Sequence, residues 1–183
     1  VPRPLLSLLK LEHDLDQIAY LRSLGLAGPG LDAAVDVLAD AARRLASLEP
    51  DARTAQTAQD QRGLGRAYNR ILHVALAERL PAALGPAWDR ALAQSAYLDR
   101  PPGIVVIDDF LSPEALDEVR RFCLESTVWS GTRYSEGRLG AFFLDGFNTP
   151  LLLQIAEEIR TALPRVIGNL PLRQMWAFKA PTT

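Results

Sequence analysis

The sequence predicts an α+β fold: a helical amino-terminal half followed by a strand-helix-strand-helix-strand segment. Two observations carry that expectation. Through the first half, apolar residues recur at the 3.6-residue spacing of amphipathic helices. In the second half, short β-branched or aromatic runs alternate with helices that begin on recognisable caps. The grammar changes at "DRPPG", so 1–99 reads as a helical domain and 100–183 as an α/β segment.

In the first half, Leu8, Leu11, Leu15 and Ile18 form one stripe. Leu31, Val35, Leu38, Ala42 and Leu45 form the next, and Leu64, Tyr68, Ile71 and Ala75 a third. Stripes of this kind bury against one another, so Leu15, Ile18, Leu38 and Ile71 are expected between helices, with 1–99 essentially all helical. "GLAGPG" (25–30) stops the first helix and turns the chain. No strand precedes it, so it does not read as a phosphate-cradling loop. The polar stretch 50–63 reads as a loop or a frayed helix start, and no clean internal repeat is visible.

In the second half, "GIVVIDD" is typical of a buried strand. Ser112, Pro113 and Glu114 then form a helix start: a cap, a proline whose missing N–H costs nothing there, and an acid at the positive end of the dipole. Leu116, Val119, Phe122 and Cys123 supply that helix's apolar face. Cys123 is expected to be buried beside Leu116, Val119 and Ile159 as an inert packed thiol. "GRLGAFFLD" reads as a strand, and Asn148-Thr149-Pro150 opens a helix with the stripe Leu152, Ile155, Ala156, Ile159 and Leu163. The stretch 171–179 is the last strand. Three strands are too few to close a sheet with covered edges, which reads as an incomplete domain.

Composition narrows the function classes. With 48% hydrophobic and 23% charged residues over 183 positions, the chain is an ordinary globular one, large enough to bury roughly 70% of its unfolded surface. A net charge of −2, with only short pairs such as Arg43-Arg44 and Arg120-Arg121, argues against nucleic acid as a partner. A single cysteine excludes an internal disulfide and favours a reducing, cytoplasmic setting. No apolar run is long enough to cross a bilayer. The chain opens on Val1, so a removed signal is left open.

Candidate chemistry is sparse. His13 sits in "LEHDLDQ", where helical spacing gives too few ligands for a metal, so it reads as a structural polar contact. His73 reads as a core-edge histidine. Asp108 and Asp109, adjacent in an extended run, point to opposite faces and read as turn or cap residues rather than an acid/base pair. Ser126, Ser130 and Ser135 have no histidine nearby in sequence and no nucleophile-elbow setting. Arg133, Tyr134 and Arg138 read as solvated loop residues, with a ligand contact as the sharper alternative. No catalytic residue and no metal ligand is assigned.

Three blocks, "PPGIVVIDDFLSPEALDEVRRFCLESTVW", "GRLGAFFLDGFNTPLLLQIAEEIRTALP" and "LPLRQMWAFK", in this order, resemble the amino-terminal portion of a bacterial 2-oxoglutarate/Fe(II)-dependent oxygenase of the prolyl-hydroxylase-like superfamily. The resemblance covers about 100–179. More weakly, "LLKLEHDLDQIAYLRSLG" is similar to tetratricopeptide-like helices found upstream of such domains. It implies a double-stranded β-helix, an iron held by a His-x-Asp pair and a distant His, and open positions for 2-oxoglutarate and O₂. None of the three ligands, and no basic residue for the far carboxylate of 2-oxoglutarate, can be placed here. The resemblance offers Arg173, Trp176, Phe178 and Lys179 as the strand that opens the barrel.

The expectation is therefore a fragment of such an oxygenase, a hydroxylase of a peptide or small molecule, inactive alone. Fe(II) and 2-oxoglutarate are implied for the intact family and no cofactor for this chain. The exposed final strand is expected to favour self-association, and no membrane contact is expected. The alternative is a non-catalytic protein-interaction module built from helices and a degenerate oxygenase-like segment.

Overall fold

The structure, a computed structural model, describes residues 5–26, 28–49, 52–132 and 138–180. They gather into two compact units, each drawn from separated stretches of chain. The first holds the described residues of Val1–Ala75, Leu124–Phe147 and Trp176–Thr183, and the second holds Leu76–Cys123 and Asn148–Met175. Neither border falls at 99/100, where the residue pattern changes. The mixed helix and sheet content agrees with an α+β class. Among the described residues, no helix is long and apolar enough to cross a membrane.

The first unit is built on two of the predicted stripes. Helix α1 (Leu8–Ser23) starts where the Ser7 hydroxyl accepts the Lys10 N–H. Helix α2 (Pro29–Leu45) starts on a proline at its first position, carries Asp32 in its first turn and Arg43 and Arg44 in its last, each favourable to the dipole. Leu11, Ile18 and Leu21 from α1 and Leu31, Ala34, Leu38 and Ala41 from α2 share one core, with Leu15 partly buried against it.

Four expectations for this half are corrected. Strand β1 (Leu5–Ser7) pairs antiparallel with β2 (Arg53–Ala55), Leu6 opposite Thr54, so 1–99 is not all helix. The stretch read as a loop or a frayed helix start holds a strand as well, β2, ahead of helix α3 (Ala58–Leu64), which a capping box between Thr57 and Asp60 nucleates. The third helix stops at Leu64 instead of running on to Ala75, and Ile71 is 49% exposed. Its backbone donors are taken elsewhere: the Thr127 hydroxyl accepts the Leu72 and His73 N–H groups, and the Ser126 hydroxyl accepts that of Ala75. From Val74 to Ala77, burial alternates with a period of two, the signature of extended chain that helical spacing masked.

A second two-stranded sheet of this unit pairs β3 (Leu139–Phe142) with β4 (Trp176–Lys179) antiparallel, Leu139 opposite Lys179 and Phe142 opposite Trp176. Both strands are shorter than predicted. The expected 137–145 strand ends at Phe142, where Phe143–Asp145 winds into a 3-10 turn closed by Gly146 at φ +100°. A Cβ there would lie 2.7 Å from Ile71 Cδ1, so glycine is required by both conformation and space. Trp176 and Phe178 are 55% and 47% exposed.

The second unit carries helices α4 (Arg90–Asp99), α5 (Pro113–Glu125, whose last residues pass into the first unit), α6 (Pro150–Ala162) and the short α7 (Pro164–Ile167). The predicted starts hold: the Ser112 hydroxyl accepts the Ala115 N–H, and the Thr149 hydroxyl accepts that of Leu152. Ile155 and Ile159 of α6 pack with Leu163 against a core of Leu84, Trp88 and Ala93. On α5 the buried face is centred on Ala115 and Phe122. Leu116 is 47% exposed and Cys123 only half-buried, so the packed-thiol expectation is corrected. The buried face thus runs through Ala115 and Phe122, two turns apart on one side of the helix, and leaves Leu116 beside it.

"GIVVIDD" is not a buried strand. Among the described residues 104–107 pair with no strand, and their burial alternates, Val105 and Ile107 toward the core and Ile104 and Val106 outward. The segment lies between Gly103 at φ +75° and Asp109 at φ +49°, a left-handed position that aspartate tolerates better than most residues.

Candidate functional site

Helix α1 presents His13 to the end of β4 within the first unit. The His13 Nδ1 lies 3.2 Å from Asp14 Oδ1, and its Nε2 lies 3.0 Å from the Lys179 ammonium. An ammonium only donates, so Nε2 accepts and the ring proton sits on Nδ1, facing Asp14. Lys10, one turn before Asp14, pairs with that carboxylate, and Lys179 also lies 4.9 Å from the centre of the Trp129 ring. The result is a hydrogen-bonded chain from Lys10 through Asp14 and His13 to Lys179. Burial, then the charges of Lys179 and Lys10, hold the imidazole below its ordinary pKa despite Asp14.

This chain borders a cleft of about 540 Å³ lined by Glu12, Asp16 and Tyr20 of α1, with Leu139 and Lys179 from the sheet. Gln17 also lines it: its amide donates to the Leu124 and Ser126 carbonyls, and its buried Oε1 has no hydrogen-bond partner among the described residues. Both nitrogens of His13 are engaged, Nδ1 with Asp14 and Nε2 with Lys179.

A second cleft, about 560 Å³, lies within the second unit between α4 and the extended 105–109 segment. Trp88 stacks on Phe110 with ring centres 5.7 Å apart, and the Arg90 guanidinium lies 4.8 Å from the Trp88 ring. The shielded Trp88 Nε1–H has no hydrogen-bond partner among the described residues. Beside this cleft the irregular chain from Leu80 to Leu84 is read by two side chains one turn apart on α6. Gln154 accepts the Leu80 N–H and donates to the Leu80 carbonyl, and Glu158 accepts the N–H groups of Ala83 and Leu84 at 3.0 and 2.9 Å. Burial pushes the Glu158 carboxyl up. The donors on Leu84, Gln154 and Ala83 outweigh it, so the net shift is downward. The Gln-x-x-x-Glu spacing inside an apolar stripe was the signal in the sequence.

The residues singled out in the sequence scatter. Lys179 joins His13, while Trp176 and Phe178 of the same strand are exposed and Arg173 lies, exposed, on an irregular stretch of the second unit. Ser126 is fully buried, its hydroxyl accepting from Ala75. Asp108 and Asp109 are exposed. Arg133, Tyr134 and Ser135 lie outside the described residues, and Arg138 is exposed beside β3. Among the described residues, no three His, Cys, Asp or Glu side chains group as metal ligands would. With both His13 nitrogens engaged, this donor set does not fit an Fe(II) facial triad. A scan against protein-family models, a search of curated proteins and a search of solved structures each returned no match.

Proposed function

We propose that this chain is part of a 2-oxoglutarate/Fe(II)-dependent oxygenase acting on a peptide or small molecule, and that it contributes the approach to the barrel rather than the catalytic centre. What carries the reading is the antiparallel pairing of β3 and β4. These strands lie in the second and third blocks that resemble the family, and β4 leaves Trp176 and Phe178 exposed where further strands would pack. In this role Lys179 and His13 anchor the end of β4 to α1. A non-catalytic interaction module is the second reading, favoured by the same exposed aromatic face, which suits a protein partner equally well.

The reading frame beyond Thr183 separates the two. A His-x-Asp pair followed by a later His supports the oxygenase, and the absence of both leaves the interaction module. For the chain itself, calorimetric titration with Mn(II) and 2-oxoglutarate is expected to match an unrelated soluble protein. Stoichiometric micromolar binding that His13→Ala abolishes would place a metal centre here and overturn the proposal.

A further inference from the structure

We propose that 104–107 is a self-complementary edge through which two copies of this chain pair, as a short antiparallel ladder centred on Val105. The inference does not rest on the oxygenase reading. Four consecutive β-branched residues alternate inward and outward here without a neighbouring strand among the described residues. Val105 and Ile107 pack on the core of Leu84, Trp88 and Ala93, which holds the segment in place. Ile104 and Val106 face out, 72% and 84% exposed, the latter among the most exposed large apolar side chains described. An apolar edge with an unused ladder is a template for another strand.

Charge decides which strand. Arg100 precedes the edge and Asp108 and Asp109 follow it, all exposed. A second copy running antiparallel brings its own Arg100 toward Asp108 and Asp109 of the first, and the reverse holds at the other end. A basic apolar peptide would satisfy one end only. Pro101 and Pro102 have no N–H to donate and the Gly103 N–H is taken by the Arg100 carbonyl, so the ladder's donors on that side begin at Ile104.

Symmetry then fixes the register. Residues opposite one another in an antiparallel pair share a face, so a two-fold ladder must be centred on a residue. Centred on Val105, Ile104 lies opposite Val106 of the second copy and Ile107 opposite its Gly103. Every pair is apolar, and the outward side chains cover each other. Centred on Val106, Ile104 would lie opposite Asp108, which sets a carboxylate against an apolar side chain. The first register is therefore favoured.

The 183-residue chain carrying Cys123→Ser, followed by sedimentation over a dilution series, tests the proposal. A reversible monomer–dimer equilibrium is expected. Val106→Lys, at a position too exposed to disturb the fold, is expected to raise the dissociation constant by about tenfold or more. Arg100→Asp is expected to weaken the dimer, and adding Asp108→Arg and Asp109→Arg to the same chain to restore it. Mixed Ile104→Cys and Val106→Cys chains should form a disulfide between copies, and Val106→Cys alone should not. A chain that stays monomeric, a dimer indifferent to Val106→Lys, or a disulfide between two Val106→Cys copies would each overturn it.

Discussion

His13 shows how a single side chain can carry a pH dependence without carrying catalysis. Its ordinary pKa is 6.5, and burial together with Lys179 lowers it in the folded chain. Above that value, neither folded nor unfolded imidazole is protonated and the group adds no pH dependence. As pH falls below it, the unfolded chain takes up a proton that the folded chain resists, so stability drops until the folded pKa is reached. Denaturant midpoints measured from pH 8 to pH 5 are expected to fall more steeply for the wild type than for His13→Asn. Parallel curves would show that the folded chain does not hold this imidazole below its ordinary pKa. Glu158 has the same sign in a more acid window: its carboxyl lies below its ordinary 4.5, so its contribution is present above that value and lost in more acid solution. Glu158→Ala, which orphans the Ala83 and Leu84 donors, is expected to cost about 1–3 kcal/mol by urea denaturation at neutral pH. Among the described glycines, Gly85 meets the closest backbone atom. A Cβ would sit 2.0 Å from the Asp109 carbonyl, and Gly85→Ala is expected to cost about 3 kcal/mol or more by the same measurement.

At the scale of the element, helix α5 separates a stripe read by residue type from the stripe that is buried. Phe122 is 0% exposed and Leu116 is 47% exposed, though both belong to the predicted apolar face. Phe122→Ala is expected to cost about 3–5 kcal/mol and Leu116→Ala under about 1 kcal/mol. Similar losses would mean that the helix packs on the face its sequence suggested. Helix α3, only two turns long, depends on its cap instead. Asp60 closes the capping box with Thr57 and also receives Arg44 at 2.7 Å. Burial pushes its carboxyl up, but Thr57 and Arg44 prevail and hold it down. A helix this short has little propagation to offset its nucleation, which is why a local cap and a cross-helix ion pair are both needed.

At the scale of the whole molecule, the compact units interleave along the sequence. The first unit draws on Leu124–Phe147 to satisfy its own buried groups, as in the bonds from Gln17 to Leu124 and Ser126 and those joining Thr127 to Leu72 and His73. A chain ending at residue 99 would lose all of them. It is expected to unfold with a broadened, less cooperative thermal transition than the full chain, whatever the helical periodicity of its sequence promises.

Periodicity and capping were legible residue by residue. Ser112, Pro113, Thr149 and Pro150 mark their helices because a cap is a bond between near neighbours, and the α1 and α2 stripes are buried because an amphipathic face can only be covered or exposed. The Asp60 capping box was equally local, yet it lay inside a polar stretch that read as a loop or a frayed helix start. What the sequence could not decide is which backbone groups would find partners far along the chain. "ILHVALA" abandons helical spacing because Thr127 and Ser126 take its donors, and "GIVVIDD" keeps the alternation of a strand but gains no neighbouring strand. His13 and Lys179, 166 residues apart, meet only once β4 is laid against β3. Short-range periodicity carries no information about such long-range pairings, and the tertiary structure alone supplies them.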